Sequence, residues 1–124
     1  MKKTIKNKVI VMLALSVSAT SYADSWTPEL NIDDVQFLQT SSNSNYTAIF
    51  LDADFHTCAG SNKHRGHAVS SRIGVDQLKT INAVLLAAQL ADRTVSLRIK
   101  TQPAGCGPSG TSSIVDIVGI KLGN

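Results

Sequence analysis

The chain has 124 residues, with twelve Lys+Arg against nine Asp+Glu, for a formal net charge of +3. Four of those lysines (Lys2, Lys3, Lys6, Lys8) crowd into the first eight residues, so residues 24–124 keep eight basic and nine acidic side chains, a net charge of −1. A near-neutral domain gives no electrostatic ground for binding nucleic acid.

The lysines open a three-part export signal. They form a basic leader, residues 9–19 form an uncharged apolar stretch, and Ser21-Tyr22-Ala23 ends in small residues. The spacing predicts cleavage between Ala23 and Asp24, and therefore a periplasmic or secreted protein. The apolar stretch is too short for a bilayer span, which needs about 20 residues, and no later segment is longer, so no membrane span is expected. The short Lys-rich leader has a bacterial look. The expected organisation is a signal peptide at 1–23 and a single compact domain at 24–124.

Residues 24–34 hold Trp26 and Pro28 and lack a clean period, so they read as an N-terminal arm with at most a short strand or turn. Residues 35–40 are apolar and β-prone, a first strand, followed by the polar turn cluster Ser41-Ser42-Asn43-Ser44-Asn45. From Tyr46 to Thr57 the chain alternates. Thr47, Ile49, Leu51, Ala53 and Phe55 fall on one face and Asp52, Asp54 and His56 on the other, which predicts a long second strand. A polar Gly-containing loop at 59–66 leads to a short third strand at 67–73.

After Gly74, Asp76 is a plausible N-cap for a sixteen-residue helix. Leu78, Ile81, Leu85 and Ala88 make its stripe, and Val84, Leu86 and Leu90 widen it. That much apolar surface exceeds what a one-sided surface helix requires. Either the helix is deeply buried or its second face meets another subunit. Residues 94–101 alternate again, with Val95, Leu97 and Ile99 inward and Ser96, Arg98 and Lys100 outward. A Gly-, Pro- and Ser-rich loop at 102–113 precedes a last strand at 114–122, with Gly119 a candidate bulge.

Two cysteines remain after the signal, Cys58 and Cys106. In an oxidising compartment an even pair without metal-type spacing reads as a disulfide. A catalytic thiol is the alternative, but there is no CxxC and no persuasive base beside either residue. The order β-β-β-α-β-β is that of the small five-stranded Greek-key barrel, the OB-fold. An open α+β sheet with one helix on a face is the alternative.

The run DQLKTINAVLLAAQLADRTVSLRIK followed by IVDIVGIKLGN, and the stretch VQFLQTSSNSNYTAIFLD before them, resemble the B subunits of bacterial AB5 toxins, in particular the subtilase and pertussis-like branch. The likeness is one of element order and length across most of residues 24–124. It implies a small exported OB-fold with one disulfide, a ring of five copies with helix 76–91 lining the pore, recognition of cell-surface glycans, and a separate A subunit. It implies no enzymatic activity and no cofactor.

The remaining constellations are weaker. Asp52, Asp54 and His56, with His64 and His67 nearby, form the one grouping with metal character, yet they match no recognised ligand spacing. Outward polar residues are also what a half-solvated strand requires. No GxSxG presents a serine nucleophile, and Gly105 to Gly110 lacks the Lys-Ser/Thr ending of a phosphate loop. The charges on strand 94–101 lack the stacking aromatics of a single-stranded nucleic-acid site. The expected function is therefore an exported non-enzymatic binding protein, with Gln39, Thr40, Ser41 and Asn43 as candidate ligand contacts. The alternative is a monomeric exported domain that binds a protein partner as an inhibitor or accessory factor.

Overall fold

The computed structural model describes residues 24–39, 44–102, 104–107 and 113–124. The expected leader (1–23) and three of the candidate ligand residues (Thr40, Ser41 and Asn43) lie outside them. Among the described residues no helix is long and apolar enough to cross a membrane.

The chain is mainly β with one main helix. The elements are β1 (Ser25–Trp26), β2 (Ile32–Gln39), β3 (Asn45–Leu51), β4 (Arg65–Val69), a one-turn helix α1 (Ser70–Ile73), the long helix α2 (Val75–Leu90), β5 (Val95–Ile99) and β6 (Val115–Leu122). They form one mixed six-stranded sheet in the order β1-β5-β6-β4-β3-β2. β2, β3 and β4 are a meander of antiparallel neighbours, while β6 returns parallel beside β4 and antiparallel to β5. The parallel contact requires a long crossover, which α2 and β5 supply. These are the strand neighbours of the Greek-key plan, but the ladders leave the sheet open.

The two outer strands of this open sheet are nevertheless consecutive in the chain, separated only by residues 27–31. That link hugs β5: Leu30 and Val95 exchange both backbone hydrogen bonds at 2.9 Å, and the Thr27 amide donates to the Leu97 carbonyl at 2.8 Å. One bent segment thus pairs with β5 in its first part and with β3 in its second.

Helix α2 covers one side of the sheet with the stripe expected for it. Leu78, Ile81, Leu85 and Ala88 are its buried residues. They meet Ile49 and Leu51 of β3, Ala68 of β4, Val95, Leu97 and Ile99 of β5, and Val115 and Ile117 of β6. Each fully buried Ile or Leu here contributes about 1.5–3 kcal/mol relative to exposure. The other apolar residues of α2 are not absorbed: Val75, Leu86 and Leu90 are exposed, Leu90 to 88%. Helix α2 is therefore a one-sided helix whose second face is left bare in the single chain.

Gly66 marks the tightest point between β4 and β6. A Cβ there would lie 2.6 Å from Cδ1 of Ile117. Gly74 separates the two helices with φ of +91°, in the left-handed region that favours glycine. The disulfide joins Cys58 to Cys106 across a sequence separation of 48, and both residues are buried.

Several expectations are corrected. Asp76 is not the N-cap; Gly74 holds that place without a side-chain cap, and Asp76 lies in the first turn. The third strand spans 65–69, because residues 70–73 wind into α1, whose Ser70 carbonyl accepts from the Gly74 amide. Ser96, read as outward, is buried and donates its hydroxyl to the Thr27 carbonyl, since the N-terminal arm covers that side of β5. The bulge expected near Gly119 is present: the register between β5 and β6 slips after Arg98–Gly119, and the next pair is Ile99–Ile117.

Candidate functional site

The second strand stops at Leu51, and this dismantles the Asp52/Asp54/His56 face. The carboxylate of Asp52 accepts from the backbone amide and the side-chain amide of Asn31, each at 3.2 Å, which draws the chain away from the strand direction. Asp54 is exposed. His56, expected to point outward, is 5% exposed. Its Nε2 lies 2.9 Å from the Asn62 carbonyl and 2.8 Å from that of Arg65, and its Nδ1 accepts from the Cys58 amide at 3.2 Å. Two carbonyl partners require a proton on Nε2 and the Cys58 amide requires a lone pair on Nδ1, so the ring has both nitrogens in use. It braces the loop beside the disulfide. Among the described residues no group of three or more His, Cys, Asp or Glu side chains is placed to hold a metal ion.

His64 and His67 lie on the outer face of the sheet instead. The His64 ring sits 6.0 Å from that of Phe50, over which the Arg65 guanidinium also packs at 5.0 Å. The His67 ring lies 4.7 Å from that of Tyr46.

Two clefts flank α1. The first, about 360 Å³, opens between the end of the β2–β3 hairpin and the start of α2. Strand β2 contributes Phe37, Leu38 and Gln39, β3 contributes Asn45, Tyr46 and Thr47, and α2 contributes Val75, Lys79 and Asn82. Alternation on paired strands explains the mixture: Phe37 faces Thr47 across the ladder while Leu38 faces Tyr46. Phe37 is 56% exposed. The floor is fixed by Thr47, which is buried and donates its hydroxyl to the Asn82 amide oxygen at 2.6 Å, tying β3 to α2. Of the candidate ligand contacts, Gln39 lines this cleft. The cleft is rich in aromatic and aliphatic carbon and is edged by side-chain amides and one ammonium group. Sequence reasoning missed Phe37, Tyr46 and Asn82 as partners, because no linear spacing brings the hairpin tip to the second turn of α2.

The second cleft, about 410 Å³, lies between β4, α1 and β6, with His67, Arg72, Lys100 and Asp116 on its walls and Asp24 at its edge. Asp116 is buried and forms an ion pair with Arg72 through Nη1. The Nε of Arg65 donates to Nε2 of His67 at 3.0 Å, which places the single ring proton on Nδ1. Burial, followed by the positive charges of Arg65 and Arg72, lowers the His67 pKa from 6.5 to about 4. The imidazole is neutral at physiological pH for all three reasons.

In comparisons with known proteins, no family model, no curated protein and no solved structure matches the chain.

Proposed function

We propose that the protein is an exported, non-enzymatic binding protein whose first cleft receives a glycan. The observation that carries this reading is an exposed aromatic ring set among amide side chains in one concavity. Phe37 offers a flat apolar face, and Gln39, Asn45 and Asn82 offer the paired donors and acceptors that sugar hydroxyls satisfy. The Cys58–Cys106 bridge supports an oxidising destination, as expected of a chain cleaved after Ala23 and left in the periplasm or secreted. The exposed Leu86 and Leu90 on α2 support self-association into a ring like that of the toxin B subunits, with five copies and a separate A subunit as the fullest form of the likeness.

Two measurements test this. A glycan array probed with the purified protein is expected to give binders that are lost in Gln39→Ala and Phe37→Ala variants of unchanged fold. Light scattering is expected to give a particle several times the chain mass, and a strict monomer rules out the ring.

A second reading is a monomeric exported domain that docks a protein partner as an inhibitor or accessory factor. The position of β2 supports it: among the described residues it is the last strand at its end of the sheet, and Phe37 and Leu38 are exposed along it. Such an edge accepts an added strand. Binding of a protein with no array signal favours it.

A further inference from the structure

Two basic and two acidic side chains line the second cleft, yet the ammonium of Lys100 is in contact with neither carboxylate. Among the described residues there are two ion pairs, Arg72 with Asp116 and Arg98 with Asp24 at 3.9 Å. Both acids on this cleft are therefore taken, Asp116 from within and Asp24 by an arginine outside its walls. Lys100 lines the cleft, is exposed, and has no acidic partner among the described residues. Arg65 stands one strand position behind His67, bonded to a neutral ring and packed on Phe50, again without an acid.

We propose that this cleft binds a small monocarboxylate, held by the ammonium of Lys100 and the outer edge of the Arg72 guanidinium. The concavity supplies the shape, with Val69, Ile73 and Val118 on its walls to take an apolar tail. The charges supply the sign. Arg72 is held in place by Asp116, so its remaining N–H groups are ordered before any ligand arrives, and little side-chain freedom is lost on binding. A guanidinium edge suits the planar carboxylate in particular. The unmatched charge on the walls is that of one lysine, with Arg65 behind it, and the Asp116 carboxylate sits beside Arg72. A single negative charge fits that field better than a phosphate dianion, which Asp116 would repel more strongly. Neutral His67 adds a polar wall that neither repels nor neutralises the anion. This site lies across α1 from the first cleft and does not depend on glycan recognition there.

The test is a titration of the ¹⁵N-labelled protein with propionate and, separately, with inorganic phosphate, at ionic strength held constant with chloride. The readout is the amide shifts of Val69, Ile117 and Val118. The expected result is a saturable millimolar response to propionate that weakens at least fivefold in Lys100→Gln and is unchanged in Lys79→Gln, whose ammonium lines the other cleft. In the wild-type chain the propionate affinity is expected to fall as sodium chloride is raised, a measurement that needs no variant. Non-saturable or absent shifts, an undiminished response in Lys100→Gln, no dependence on salt, or tighter binding of phosphate than of propionate would each overturn the proposal.

Discussion

Replacing both half-cystines, as Cys58→Ala with Cys106→Ala, is expected to remove about 4 kcal/mol of stability. The figure follows from the sequence separation of 48 between the bridged residues, through the loop-closure entropy withheld from the unfolded chain. A domain of this size has about 5–15 kcal/mol in total, so most or a large part of its margin rests on one bond. The bridge ties the loop after β3 to the loop before β6, alongside the bonds that the Thr57 amide and hydroxyl donate to the Gln102 side-chain oxygen and that the Asn62 side-chain amide donates to the Ser113 hydroxyl. His56 reinforces the first of them through the Asn62 and Arg65 carbonyls. Urea denaturation followed by circular dichroism, comparing the oxidised wild type with the double variant, measures the loss directly. The denaturant slope is expected to rise in the variant, because its unfolded state is no longer cross-linked and exposes more surface. Wild-type protein treated with a thiol reductant is expected to show the same shift. A loss below about 1 kcal/mol with an unchanged slope would refute the chain-entropy reasoning and, with it, the dependence of the fold on an oxidising compartment.

Three further outcomes are expected. The pKa of His67, about 4 in the folded chain against 6.5 when unfolded, lets the unfolded state take up the extra proton first. Stability from this group is then complete above pH 6.5 and is lost as the pH falls toward 4; melting temperatures across that range should show a decline of roughly 1–2 kcal/mol, discounted for partial exposure, that flattens in His67→Gln. Gly66→Ala drives a methyl group into the fully buried Ile117 and Val115 side chains, which must repack around it, and is expected to cost about 1–3 kcal/mol by thermal unfolding. Leu86→Gln with Leu90→Gln is expected to leave monomer stability within about 0.5 kcal/mol while shifting sedimentation to the single-chain species; an unchanged particle would remove α2 as the contact between copies.

Much of the fold is legible because the helix and the later strands carry clean periods. The stripe Leu78-Ile81-Leu85-Ala88 is the set that α2 buries, and the alternation of 94–101 yields β5. Where the reading fails, a tertiary contact outvotes the local pattern. Residues 52–56 keep strand-like alternation, but Asn31 captures Asp52 and the Phe55 amide donates to the Lys63 carbonyl, so the segment turns into a braced loop. Ser96 alternates as an outward residue, yet β1 and the link after it lie over β5. The clefts were less legible still. Gln39 was visible as a polar residue at a strand end, whereas its neighbours Phe37 and Asn82 meet only through the Thr47–Asn82 bond between β3 and α2.

The bent segment from β1 to β2 has a consequence for how the chain reaches its native state. Its first part bonds to residues 95–99, so the earliest part of the domain to leave a ribosome or a translocation channel waits for nearly the latest before it can settle. Contacts of such high sequence separation slow folding, because loop entropy is lost before pairing returns anything. Until β5 arrives, Trp26 and the link at 27–31 have no strand to join. The N-terminal arm is therefore expected to close on β5 after the hairpin of β2 and β3 has formed, as a last latch rather than a first nucleus.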